Sequence, residues 1–264
     1  MRNKILLAVA AVLVVAVAST ATASAASQVN VYGVTGAVKG GKKATKKAPK
    51  PISLVFNYTV DEQSGLRPSV VTDYAITFGN IQVPNNTLFK GCNVKKLNAP
   101  GGSLKVCPAK SIVGHGLLKN STGNTSDPSE INAALACNLH ITLVNSTQKN
   151  HLLIWLNGQS KDPDVSQRCA IPIAQAIDGV LKGNSKGTTL SFHVSSNLLH
   201  PAPGLDNSVR VVGSTIVKQS VKKKGKTIGF FQSTGCKKTT PISVLFTQEA
   251  GGVTQKATTA AKCS

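Results

Sequence analysis

Acidic residues are scarce: 10 Asp and Glu stand against 30 Lys and Arg in 264 residues, a formal net charge of +20. Aromatic residues make up only 4% of the chain, with a single Trp. So few carboxylates leave little for paired acid–base chemistry or for the oxygen cage of a hard metal ion. Beyond the first segment, arginine is confined to Arg67, Arg168 and Arg210. The guanidinium forks and stacking platforms of specific nucleic-acid recognition are therefore missing. No Walker A or H-E-x-x-H string occurs, which removes the common local signatures of nucleotide binders and zinc peptidases. No two cysteines stand at C-x2-C spacing, so a structural zinc site is not expected. The composition also excludes a coiled coil, a collagen and a membrane bundle.

What is present begins with an address. Arg2 and Lys4 precede an uncharged apolar run from Ile5 to Val17, which fades into the small residues of Ser19 to Ser27. This is the pattern of a secretory signal peptide, too short for a spanning helix. It covers residues 1–25, with cleavage expected after Ala25 and Ala23 or Ala26 as alternatives. No further span follows, so the mature chain, residues 26–264, is expected to be secreted, extracellular or wall-associated. It carries 28 bases against 10 acids.

All six cysteines, Cys92, Cys107, Cys137, Cys169, Cys236 and Cys263, lie in the exported part. An even number in an oxidising compartment reads as a disulfide framework. Of the possible pairings, joining near neighbours closes the smallest loops: Cys92 with Cys107, Cys137 with Cys169, Cys236 with Cys263. Apolar residues alternate and Val, Ile and Thr are abundant, which is strand chemistry. Segments such as Ile52 to Val60, Val70 to Val83, Leu135 to Asn145, Leu152 to Leu156 and Pro241 to Thr247 read as strands. Ile173 to Leu181 reads as a strand or a single turn between Pro172 and Gly183. Many short strands in one stretch predict one all-β domain, a mainly antiparallel β-sandwich stabilised by disulfides, with jelly-roll and immunoglobulin-like topologies both open.

The string Cys107-Pro-Ala-Lys-Ser-Ile-Val-Gly-His-Gly116, with Cys92 before it, resembles the C-P-x-x-S-x-V-G-x-G block of uncharacterised secreted proteins of high-GC Gram-positive bacteria. Thr77 to Asn86, the Pro201-Ala-Pro-Gly-Leu205 loop and the closing segment from Cys236 to Cys263 are similar as well. The resemblance implies export and architecture. It transfers no catalytic residue, because that family has no known activity. Cys137 and Cys169 are not expected in most members.

No residue pattern assigns a catalytic site, a cofactor or a metal. His115, between two glycines, has no Asp or Glu near it in sequence to orient it, and His140, His151, His193 and His200 stand singly in or beside strands. Asp162-Pro-Asp164 and the loop from Asn124 to Glu130 hold acids, but without the order of ligands and glycine of a calcium loop. Charge is the remaining signal. A Lys-rich loop at 39–51 carries Lys42, Lys43, Lys46 and Lys47, and a second cluster holds Lys222, Lys223, Lys224 and Lys226. The expectation is a non-catalytic structural or adhesive protein of the cell envelope. The alternatives are an electrostatic binder of anionic wall polymers or polysaccharides through these lysines and a secreted hydrolase whose site assembles from distant residues.

Overall fold

The computed structural model describes residues 28–264, so the expected signal peptide lies outside the described residues. Within them the alternation of apolar and polar residues becomes sixteen strands and two short helices. The first five strands are β1 (Asn30–Lys39), β2 (Lys50–Pro51), β3 (Ser53–Glu62), β4 (Val71–Gly79) and β5 (Ile81–Gln82). The helix α1 (Val94–Leu97) follows, then a meander of β6 (Ile112–Asn124), β7 (Leu139–Asn145), β8 (His151–Gly158), β9 (Ile173–Asn184) and β10 (Gly187–His193). Next come α2 (Ser196–Leu199), β11 (Leu205–Ile216), β12 (Ser220–Lys223), β13 (Lys226–Gly229) and β14 (Gln232–Ser233). The chain closes with β15 (Thr239–Gln248) and β16 (Thr254–Cys263).

Eleven of these strands form a closed barrel in the order β1-β16-β15-β4-β10-β9-β8-β7-β6-β11-β3. Every pairing is antiparallel except the seam, where β1 meets β16 in parallel through Ala37 with Lys262 and Val38 with Cys263. The expected sandwich is therefore corrected to a barrel. Both architectures place alternate residues on one buried face, so strand periodicity does not distinguish them. What closes the sheet is a contact between its chain ends, with β3 pairing to both β1 and β11, and no local pattern encodes that. The stretch from Ile173 is a full strand. The Val70 to Val83 stretch is two, because Asn80 turns the chain with φ of 53°.

Leu54, Phe56, Tyr58 and Val60 of β3 point inward and are buried, as do Leu152, Ile154 and Leu156 of β8. Gly114 and Gly116 of the Cys107 block lie on β6, where a Cβ would stand 2.4 Å from the Thr215 carbonyl and 2.2 Å from that of Gly213. They are glycine because β11 approaches this closely.

One barrel end is roofed by a small sheet, β2-β14-β5, over the fully buried Ile52, Ile81, Phe230 and Phe231. At this end Asn86 and Asn145, both buried, lock the loop after β5 to the β7–β8 turn. Asn86 Nδ2 donates to the Gln148 carbonyl at 2.9 Å, and Asn145 Nδ2 to the carbonyls of Asn86 and Lys90, both at 3.0 Å. The segment from Cys92 to Cys107 then folds over the outer wall, burying Trp155, Leu153 and Val144 beneath Leu97. Trp155 is thus a buried strand residue, as its apolar neighbours suggest, but it faces away from the lumen. Three disulfides, Cys92–Cys107, Cys137–Cys169 and Cys236–Cys263, pair the sequence neighbours.

Candidate functional site

In an antiparallel barrel the connections fall alternately at the two ends, so strand parity decides where each loop's charge goes. One end gathers the connections β1–β3, β4–β6, β7–β8, β9–β10 and β11–β15. These carry Lys39, Lys42, Lys43, Lys46, Lys47 and Lys50; Lys90 and Lys110; Lys149; Lys186; and Lys218, Lys222, Lys223, Lys224, Lys226, Lys237 and Lys238. Each of these lysines is exposed, and the five connections contain no Asp or Glu. The opposite end gathers Glu62, Asp127, Glu130, Asp162, Asp164 and Glu249, with Asp61, Asp73 and Asp206 on the adjoining strand ends. Only Asp178, within β9, lies away from that end. The surplus positive charge is thus a basic pole facing an acidic one.

Both lysine clusters singled out in the sequence lie on the basic pole, side by side. The β12–β13 hairpin abuts β2, with Gly229 so close to Pro51 that a Cβ would stand 2.8 Å from its Cα. Ile52 donates its N–H to the Phe231 carbonyl at 3.1 Å, and Ser233 pairs with Lys50. Both loops are therefore anchored to the rigid roof rather than hanging free. Every ion pair among the described residues uses Arg or His as its cation, and none uses a lysine. The ammonium groups of the pole stand uncompensated within reach of one another's fields. Sequence inspection finds the two dense clusters but misses Lys90, Lys110, Lys149 and Lys186. Their signal is parity, which appears only once the strands are counted correctly.

The histidines show a pattern that spacing hid. His140 Nε2 lies 2.7 Å from Asp162, His151 Nδ1 2.9 Å from Asp178, and His193 Nδ1 2.9 Å from Asp73. His200 is held at both nitrogens, Nδ1 by Asp206 at 3.1 Å and Nε2 by Glu249 at 2.9 Å. The Glu249 carboxylate, outweighing partial burial and aided by Asp206, raises the His200 pKa above its ordinary value. A hydrolytic site of the serine–histidine–carboxylate type needs a hydroxyl bonded to the free ring nitrogen. His193 leaves Nε2 open, but no hydroxyl bonds it among the described residues, and the pair is half exposed or more. His115 has no carboxylate partner there either. No group of three or more His, Cys, Asp or Glu is placed to hold a metal ion among the described residues.

The lumen is a third feature, absent from any sequence signal. A cavity of about 90 Å³ lies between an aromatic wall, including Phe56, Tyr58, Tyr74 and Phe192, and an aliphatic one, including Ile141, Ile154 and Ile177. Burial, and then the facing phenol, pushes the Tyr74 hydroxyl well above the usual tyrosine range, and burial does the same at Tyr58. Both stay neutral. An apolar lumen behind polar outward positions such as Asn57, Thr59 and Thr77 reverses the arrangement of barrels that channel water through a membrane. No helix among the described residues is long and apolar enough to cross one. Comparison with protein-family models, with curated proteins and with solved structures finds no match.

Proposed function

We propose that the protein is an exported, non-catalytic β-barrel module that docks by its basic pole on anionic polymers of the cell envelope, with wall polymers of the teichoic-acid class as the reference partner. One observation carries the reading: five lysine-bearing connections gather at one barrel end and contain no carboxylate, whereas nearly all the acids lie at the other. Randomly scattered charges give only weak, orientation-free attraction. Segregated charges give a field that steers the molecule end-on and sums over many weak contacts. Such binding is screened by salt and carries little chemical selectivity, because lysine is a hydrated point charge rather than a fork. The three disulfides suit a scaffold working in an oxidising space.

The test is retention of the oxidised mature protein on purified wall polymer across a salt series. Wild-type affinity should fall linearly on a log–log plot against salt. Replacing Lys42, Lys43, Lys46 and Lys47 together with Gln should weaken binding about tenfold or more at low salt, with the fold intact by circular dichroism. Unchanged affinity in that variant would overturn the reading.

A further inference from the structure

Eight strands already give an interior that side chains can fill, and this barrel has eleven. The excess appears as the 90 Å³ cavity, whose lining holds no Asp, Glu, Lys, Arg or His. It does hold two unmatched polar atoms. The Tyr74 hydroxyl is buried without a hydrogen-bond partner, and so is Asn120 Oδ1 on the far wall. Tyr58 stands beside Tyr74 with ring centres 5.7 Å apart, near enough for its phenol to act on the Tyr74 hydroxyl, yet that hydroxyl makes no hydrogen bond. Buried hydroxyls are nearly always satisfied, and this one is the donor most directly open to a guest.

The wall also has a seam through which a guest could pass. Strands β9 and β10 pair only between Val180–Asn184 and Gly187–Ser191. Toward the acidic pole β9 continues on β8 as far as Ile173, and β10 on β4 as far as His193, so their facing edges part. The gap is plugged by α2, whose Leu198 and Leu199 reach the cavity. The α2 turn is tied to β9 by side chains alone: Gln175 Nε2 donates to Ser195 Oγ at 3.0 Å and Asn197 Nδ2 to Gln175 Oε1 at 2.8 Å. Beside the plug, Phe192 stacks on Tyr74 at 5.0 Å. These two rings line both the cavity and an outer depression bounded by Asp73, Asp178 and His193.

We propose that the lumen binds the hydrocarbon part of a small neutral alcohol, which enters between β9 and β10 past α2 and accepts a hydrogen bond from the Tyr74 hydroxyl. A carboxylate head is excluded because no cation in the lining would compensate it. The volume suits a guest of a few heavy atoms, since an apolar cavity of about 150 Å³ accommodates benzene. The site is independent of the basic pole.

The experiment titrates the mature protein with 1-propanol and with propanoate at neutral pH, reading methyl shifts of Ile154, Ile177, Leu198 and Leu199 by NMR. Propanol should give saturable shifts at these methyls, and propanoate should bind at least tenfold more weakly. Tyr74→Phe removes an unbonded hydroxyl and should stay folded. It should weaken propanol binding several-fold while leaving the affinity for propane unchanged. Ile177→Phe, which fills the lumen, should abolish the shifts, and should it fail to fold, the other comparisons still decide. Absence of saturable lumen shifts, equal binding of propanoate, or an unaltered alcohol affinity in Tyr74→Phe would each overturn the proposal.

Discussion

Asn145 is fully buried in a strand that reads as ordinary apolar alternation, and its cost of burial is met by carbonyls from a loop more than fifty residues upstream. Truncation would leave the carbonyl of Lys90 unmatched, and that of Asn86 with only the Phe89 N–H, at about 1 to 3 kcal/mol for a group that water cannot reach. Asn145→Ala should therefore destabilise the protein by about 2 to 3 kcal/mol in urea unfolding, while Asn120→Ala, whose Oδ1 has no partner, should cost less. Equal losses would contradict this account. Single residues of this kind were the least legible in sequence: Asn145 and Tyr74 look like any strand asparagine and core tyrosine. The roles of Gly114 and Gly116 were half legible, since close backbone approach was foreseeable from glycine but not the strand that approaches.

At the scale of elements, the acidic pole is tied together by His200, which follows α2 and bonds both Asp206 on β11 and Glu249 in the β15–β16 connection. Arg67, wholly buried, adds its guanidinium to Asp206 at 3.2 Å and to the carbonyls of Asn124 and Glu130. Because the folded-state pKa of His200 is raised, its stabilising contribution is complete below the ordinary histidine value and is lost as pH rises through the raised one. The melting temperature of wild type should thus exceed that of His200→Gln most at about pH 5.5 to 6, the gap narrowing toward pH 8 to 9. A gap that widened with pH would contradict the clamp. Strand existence was largely readable from alternation, and neighbour pairing of the cysteines from loop size. The His–carboxylate pairs were not, because the fold brings them together: strand register joins His193 to Asp73 across β10 and β4, and a connecting loop carries Asp162 to His140.

Across the whole molecule, the sequence shows how much charge there is but not where it goes. The dense runs at Lys42 to Lys47 and Lys222 to Lys226 are visible at once, whereas their adjacency depends on the roof that joins β2 to β14. The separation of acids from lysines depends on strand parity, and the β1–β16 seam supplies the closure that the strand pattern leaves open. Closure likewise creates the lumen, so the pole and the cavity are both products of long-range pairing.

The central claim is that position, not total charge, governs docking, and two charge-matched variants test it directly. One replaces Lys42, Lys43 and Lys46 on the basic pole with Gln. The other replaces Lys119, Lys161 and Lys256, exposed lysines away from that pole. Both lose three positive charges, and affinity for purified wall polymer is measured for each against salt. The account predicts a several-fold loss and a shallower salt slope for the first, with the second close to wild type. Equal losses in the two variants would contradict it and reduce the lysines to a nonspecific surplus.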